Sequence, residues 1–383
     1  MKIGIEGQRI FRTKKHGMDM VALELLKNLQ KIDKKNEYFV FVKADEDKDC
    51  FKENENFKII ELEGGSYPQW EQFALPKAAR KYGCDILHCT SNTAPINSKT
   101  PLVVTLHDII YMESFPLFNN SFTWYQRLGN TYRRFVVPKI VKTASKIITV
   151  SKFEQKRIND FFGIKDNRLQ TVYNGVGEHF QKIDDQNKLE EIRKKYKLPE
   201  KFLFFIGNTD PKKNTKGTLT AFSKYFRNTK KPIPLVMPDY DIGELKNILE
   251  DIGDKELLEH IHLTGYIVNT DLPAIYNLCS IFIYTSLRES FGIPMLEAMR
   301  CGTAVITSNT SSMPEVSGNA ALIVDPHSPD EISKAITTIE NDKNLRKKLI
   351  EEGFKNASKF SWKSMAEDVL KIYEEIYSEN KKL

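Results

Sequence analysis

The stretch Ser280–Ser308, SIFIYTSLRESFGIPMLEAMRCGTAVITS, decides the fold. SIFIYTS and TAVITS are short β-branched and aromatic runs without polar alternation, the pattern of strands buried on both faces. PMLEAMR between them reads as a helix. Pro294 suits its first turn, where a missing N–H matters little, and Gly302 suits its stop. Strand, helix and strand in succession, with apolar strands, imply a parallel sheet covered on both sides. The loop Leu287–Gly292 sets Glu289 just ahead of the helix and Glu297 about one turn inside it. Amides around Phe291, Gly292 and Ile293 face out of the helix start, whose partial positive charge favours an anion such as phosphate. For one isolated glutamate the plainer reading is a partner for the helix dipole.

The same alternation runs along the chain. KIGIE, YFVFVK, FKIIEL, DILHC, LVVTLHD and KIITVS read as strands in the first half, and FLFFIG, PLVM, HIHLTG, SIFIYTS, TAVITS and AALIVD in the second. Between them lie amphipathic runs such as MDMVALELLKNLQKI, FTWYQRLGNTYRRFVVPKIVKTA and LTAFSKYF. The 383 residues exceed one ordinary core, so two doubly wound α/β domains are expected. The turn formers Asn174, Gly175 and Gly177 in TVYNGVGEHF put the boundary there. The domains are then 1–177, with a long amphipathic helix over about 363–383, and 178–362. Ligands of open α/β sheets bind beyond the carboxyl ends of strands, so the loops after strands carry the chemistry.

Composition narrows the class. Apolar content of 40% and charged content of 28% describe a folded chain. No apolar run approaches the roughly 20 residues needed to span a bilayer. MKIGIEGQRIF shows no signal core, and the five scattered cysteines argue against a disulfide framework, so a cytoplasmic protein is expected. The net charge of +6 is uneven: residues 1–180 hold 28 Lys+Arg against 21 Asp+Glu. A basic face of that kind suits nucleic acid, an anionic membrane or a phosphorylated substrate. No zinc finger, RRM signature or basic zipper is present, so no nucleic-acid partner is expected.

Three loops of the second half and two of the first are candidates. GNTDPKKNTKGTLTAF (207–222) lets the chain turn at Gly207 and places Asn208, Pro211, Lys212, Lys213 and Asn214 ahead of a helix. A lysine on a proline turn at a helix start is a good counter-ion for a diphosphate, although such a loop alone also reads as solvated. HLTGYIVNTD (262–271) offers the backbone of Tyr266 and Ile267 to a flat base edge. In the first half, Gly17 opens a helix after a basic loop, without a GxGxxG fingerprint. His107 and Asp108 end a strand, where a lone histidine is more often structural.

Together these residues resemble the GT-B retaining glycosyltransferases of family 4 (glycosyltransferase group 1). The resemblance rests on E-x7-E at Glu289 and Glu297 with Phe-Gly inside it, GNTDPKKN at 207–214, TVYNGV at 171–176, LHD at 106–108 and ITVSKF at 148–153. It implies two Rossmann-like doubly wound domains facing across a cleft, with the C-terminal helix crossing back to the first domain. It implies that Lys213 neutralises the donor diphosphate and Glu289 contacts the donor sugar. The amides of Phe291 and Gly292, beside Ser290, then meet sugar or phosphate, and Glu297 binds the ribose hydroxyls. His107 falls near the transferred sugar, Gly17 lets the donor phosphate approach a helix start, and Ile267 lies where the base is read. Many members carry arginine where this chain has Asn208. Lys212, Lys216, Arg9, Arg12, Lys14 and Lys15 are the replacements to consider for that cation.

The reaction so implied is hexosyl transfer with retention from a nucleotide sugar, with no metal or other cofactor required. GDP-mannose is the leading donor, ahead of UDP-glucose and dTDP-rhamnose. The acceptor is a glycan or a saccharide linked to polyprenyl diphosphate, in the synthesis of surface polysaccharide. Two D-x-D segments, Asp45–Asp47 and Asp239–Asp241, are the candidates for a metal-bound diphosphate instead. A GT-B nucleotide-sugar 2-epimerase and a non-catalytic nucleotide- or glycan-binding subunit are the competing readings. The basic, aromatic first half leads to an expectation of peripheral association with the anionic inner face of the cell membrane.

Overall fold

The computed structural model describes residues 1–113, 124–164 and 166–381. The first residues of the helix expected from Phe122 and the end of LVVTLHDIIYMESFP lie outside them, as do residues 382–383. The chain divides into two compact units, Met1–Gly175 with Trp362–Leu383, and Val176–Ser361.

The first unit is built on a parallel sheet of seven strands: β1 (Lys2–Glu6), β2 (Glu37–Val42), β3 (Phe57–Glu61), β4 (Ile86–Cys89), β5 (Leu102–Thr105), β6 (Lys146–Thr149) and β7 (Leu169–Thr171), in the order β3-β2-β1-β4-β5-β6-β7. The second has six: β8 (Leu203–Phe205), β9 (Leu235–Met237), β10 (Ile261–Leu263), β11 (Ile281–Tyr284), β12 (Ala304–Ser308) and β13 (Ala321–Val324), in the order β10-β9-β8-β11-β12-β13. Every expected strand is present, and β7 is an addition.

Each sheet starts in its middle, grows one way, then reverses. That is the doubly wound order of the Rossmann fold, with the crevice of each unit at the reversal, between β1 and β4 and between β8 and β11. Central strands are apolar on both faces because helices cover both. Every residue of β4, β5, β11 and β12 is buried, whereas the edge strand β3 exposes Lys58 and Glu61.

The C-terminal helix Trp362–Asn380 belongs to the first unit. Its apolar stripe of Met365, Ala366, Val369, Ile372, Tyr373 and Ile376 is buried, at the spacing of one helix face. The Tyr373 hydroxyl meets His88 Nδ1 on β4 at 2.6 Å, and Thr105 on β5 holds Nε2 at 2.7 Å. Burial, then the nearby His107, pushes the His88 imidazole down to about 3, so it is a neutral core residue.

Candidate active site

In the second unit the reversal brings together the loops after β8 and β11. The loop after β8 turns at Pro211–Lys213, where Asp210 caps the turn through Lys212 N. Asn214 follows in the left-handed region (φ 56°), which asparagine tolerates better than most residues. From there its amide donates to the Thr285 carbonyl at the end of β11 (3.0 Å) and to the Pro326 carbonyl beyond β13 (2.7 Å). A Cβ at Gly217 would lie 2.3 Å from Asn214 Oδ1, so glycine there makes room for the clamp. The PKKNTKG segment thus ties three strand ends to one point.

That clamp seats Lys213 against the loop after β11. Leu287 N donates to the Lys212 carbonyl at 2.7 Å, and Lys213 Nζ lies 2.6 Å from Glu289 Oε1. The two side chains are only 18% and 13% exposed, so this pair is screened far less than a surface ion pair. Lys213 Nζ also stands 5.4 Å from the centre of the Tyr284 ring. Burial, then the charge and hydrogen bonding of Glu289, keeps the Tyr284 phenol protonated far above its usual range.

A third loop, after β12, braces the second. Ser308 Oγ donates to the Ser286 carbonyl (2.6 Å) and Thr310 Oγ1 to that of Leu287 (3.1 Å). Glu289 N donates to Ser311 Oγ (3.0 Å), and the buried Ser312 Oγ meets the carbonyls of Glu289 (3.0 Å) and Phe291 (3.1 Å). Sequence reasoning missed this brace. The available signal was the hydroxyl-rich run SNTSSMP directly after a strand.

Ser290 sits between Glu289 and the buried Phe291, whose ring meets Phe360 edge-on at 5.7 Å. Gly292 caps the helix Ile293–Arg300 with φ 98°, a conformation that side chains resist. One turn in, Glu297 accepts from the Tyr276 hydroxyl at 3.2 Å. Burial raises its carboxyl to about 7 against the smaller opposing effect of that hydrogen bond.

The remaining expected residues lie elsewhere. Asn208 is exposed and shapes the turn, its Oδ1 accepting from Asp210 N (2.9 Å) and its carbonyl from Thr215 Oγ1 (2.7 Å). Among the proposed replacement cations, Lys212 pairs with Asp210 (3.3 Å), Lys216 with Asp251 (3.0 Å) and the half-buried Lys15 with Asp47. Ile267 is buried in the loop after β10, beside the exposed Tyr266. Of the D-x-D segments, Asp241 caps the helix Ile242–Asp251 through Glu244 N (2.9 Å), and Asp47 is the partner of Lys15.

In the first unit, Gly17 opens the helix Gly17–Ile32, and a Cβ there would meet no atom within 4 Å. Among the described residues, the packing does not demand glycine at this point. His107 is buried after β5. Its backbone N–H donates to Asn92 Oδ1 (2.6 Å), and Nε2 lies 2.9 Å from the Thr90 carbonyl. A carbonyl only accepts, so Nε2 carries the proton and Nδ1 is the acceptor. Burial lowers the imidazole's proton affinity against the opposing pull of Thr90 and Asp108, which leaves it neutral.

Two parallel sheets of this order define the GT-B class, and solved structures agree. Anabaena HepE in complex with UDP superposes with a TM-score of 0.73 at 17% identity, over 98% of this chain and 100% of that one. Sucrose-phosphate synthase from Thermosynechococcus elongatus gives 0.75 at 17% identity, over 98% and 99%. Within that class the chain belongs to the group 1 family of glycosyltransferases: the "Glycosyl transferases group 1" model matches residues 188–356 and the "Glycosyltransferase Family 4" model residues 16–179. It is 30% identical over 290 residues to the "Serotype-specific mannosyltransferase WbdA" of Escherichia coli, covering 73% of this chain and 34% of that protein. It is 31% identical over 232 residues to the "O-antigen chain mannosyltransferase B" of Escherichia coli, covering 60% and 61%. The chain therefore spans about a third of the length of the first of these relatives and under two thirds of the second.

Proposed function

We propose that this chain is a retaining, metal-independent hexosyltransferase that moves mannose from GDP-mannose to a glycan or lipid-linked saccharide in the synthesis of surface polysaccharide. The observation that carries the reading is the Lys213–Glu289 pair, which joins the two loops at the β8/β11 reversal beside the helix start at Gly292. The names of the relatives support mannose and an O-antigen type of product. The UDP in the HepE structure supports a nucleotide-linked donor in the class without fixing the base.

The chemistry follows from charge. The bond between the sugar's anomeric carbon and the β-phosphate oxygen breaks, and negative charge collects on that phosphate. Lys213 Nζ keeps one hydrogen for Glu289 and turns the others to the departing oxygens, with the amides at the helix start alongside. These contacts strengthen as charge develops, which lowers the barrier rather than merely tightening binding. The acceptor hydroxyl attacks from the face the diphosphate leaves, and its proton passes to the departing oxygen. Glu289 orients the ammonium and the sugar hydroxyls and is not a nucleophile. Glu297 accepts from the ribose hydroxyls, the backbone at Ile267 meets the base, and the role carried over for His107 is a hydrogen bond to the transferred sugar.

The test is transfer from GDP-mannose to a mannose-terminated primer in EDTA, with the new linkage assigned by NMR. Retained anomeric configuration at an undiminished rate is expected. An inverted linkage, or activity that returns only with Mn²⁺, overturns the assignment.

Peripheral membrane association is part of this proposal. On the helix Trp124–Thr143, Leu128 (62% exposed) and Phe135 (60%) stand seven residues apart on one face, and the helix also carries Arg127, Arg133, Arg134 and Lys139. Lys139 Nζ stands 3.3 Å from the centre of the Phe135 ring, and exposed apolar side chains beside a cation suit an anionic lipid surface. Vesicles containing phosphatidylglycerol should float the protein, and Leu128→Ser with Phe135→Ser should release it. Equal flotation with neutral vesicles contradicts this part.

A further inference from the structure

The segment SYPQWEQF of the first unit is unexplained by the reading above, and its structure is unusual. The helical run from Tyr67 to Lys81 widens into a π-helical turn at Trp70–Ala74, where Leu75 N bonds to the Trp70 carbonyl. Pro76 follows and has no N–H to return to Gln72, so the widened turn lies where the regular ladder is interrupted. The fully buried Trp70 pins this turn, its indole N–H donating to the Leu62 carbonyl (3.2 Å).

The turn aims Glu71, 1% exposed, into the unit. Its Oε1 accepts from the hydroxyls of Tyr67 (2.7 Å) and Thr93, and its Oε2 from Gln72 Nε2 (2.9 Å) and the Tyr132 hydroxyl. The network draws in the helix Trp124–Thr143 through Tyr132 and the loop after β4 through Thr93. A second buried carboxylate holds the other end of that loop. Glu6, at the end of β1, accepts from Thr90 N (3.2 Å) and Thr90 Oγ1 (3.0 Å). Between the two anchors, Asn92 sits at φ 67°, its N–H on the Thr105 carbonyl (3.1 Å) and its Oδ1 on His107 N. The Thr90 carbonyl receives His107 Nε2.

We infer that Glu71 and Glu6 are positioning residues for His107: they fasten the two ends of the Thr90–Thr93 loop, and the loop fixes the imidazole as the neutral Nε2–H tautomer with Nδ1 presented as a hydrogen-bond acceptor. Two buried carboxylates are costly to place, and here each is hydrogen-bonded to one end of the same loop: Glu6 to Thr90 and Glu71 to Thr93. A packing role alone would be served by apolar side chains of similar size. This inference rests on the proposed role of His107 for its kinetic consequence, but not for its geometry.

The experiment uses the full chain with Thr93→Val, which removes the hydroxyl bonded to Glu71 at nearly constant volume, Thr93→Ser, which restores it, and Glu71→Gln. Imidazole ¹⁵N spectra should show a single Nε2–H tautomer for His107 in the parent and Thr93→Ser, and a mixed or shifted signal in Thr93→Val and Glu71→Gln. GDP release from GDP-mannose should fall about tenfold in kcat for Thr93→Val, with donor KM within about twofold, as expected for a displaced sugar contact. In a His107→Ala background the Thr93→Val loss should vanish, because the two act through one group. Unchanged His107 signals in both Thr93→Val and Glu71→Gln, or losses that multiply with His107→Ala, overturn the inference. A parent that releases no GDP removes the donor reading alone, and the imidazole spectra still decide this one.

Discussion

Lys213→Ala is expected to lower kcat about 100- to 1000-fold, the usual cost of losing one fixed contact to charge that develops in the transition state. The donor KM should change far less, because in the proposed mechanism the ammonium is matched to the departing diphosphate rather than to the intact donor. The structure makes the substitution informative. Lys213 is anchored through Glu289 at 2.6 Å, and the backbone of its loop is held independently by Asn214 and by the Leu287–Lys212 bond. The loops should therefore survive the loss of the side chain. Lys213→Arg should recover only part of the rate, since a planar guanidinium does not reproduce the point charge of an ammonium. Steady-state kinetics on the three proteins, with thermal unfolding as a control for folding, provide the check. Near-parental kcat in Lys213→Ala contradicts the role.

The second large effect is a pH dependence of nucleotide binding set by Glu297. Its carboxyl is raised to about 7 because burial disfavours the charge. In the proposed site ribose hydroxyls donate to the ionised form, so binding should draw the carboxyl towards ionisation and strengthen as pH rises through about 7. At pH 6 the raised value should keep this group mostly protonated in the unliganded protein, and displacing that proton should weaken nucleotide affinity roughly tenfold relative to pH 8. The same raised value means that the unliganded fold loses stability as pH rises from the ordinary carboxyl value of 4.5 towards 7, and bound ribose relieves that loss. Glu297→Gln should bind more weakly at pH 8 and lack this slope. Calorimetric titration of parent and variant at both pH values tests it, because the ratio between them cancels the phosphate's own titration. A parallel pH dependence in the two proteins contradicts the assignment.

Much of this arrangement was legible beforehand, for identifiable reasons. The unit around β11 and β12 stands out because fully buried parallel strands leave unbroken apolar runs, and because Pro294 and Gly302 punctuate the helix between them. The proximity of Lys213 and Glu289 was expected only through family resemblance, since they are 76 residues apart and meet only because the sheet order reverses between β8 and β11. Strand β7 escaped notice because Leu-Gln-Thr is too short and polar to show periodicity. At Asn208, where many members carry arginine, the sequence shows only the substitution, and the turn its side chain makes with Asp210 N becomes visible in the structure. The Glu71 network was invisible for the opposite reason. Its partners Thr93 and Tyr132 lie 22 and 61 residues away, and no local pattern announces a hydrogen bond across that distance.

The most direct measurement is the preference for a diphosphate over a monophosphate of the same nucleoside, using whichever of GDP, UDP and dTDP binds. The parent should favour the diphosphate, and Lys213→Ala should lose most of that preference while holding the monophosphate about as well as the parent. A variant that keeps the full preference would show that the second phosphate is held by some other group, and the account of how the leaving charge is met would fall.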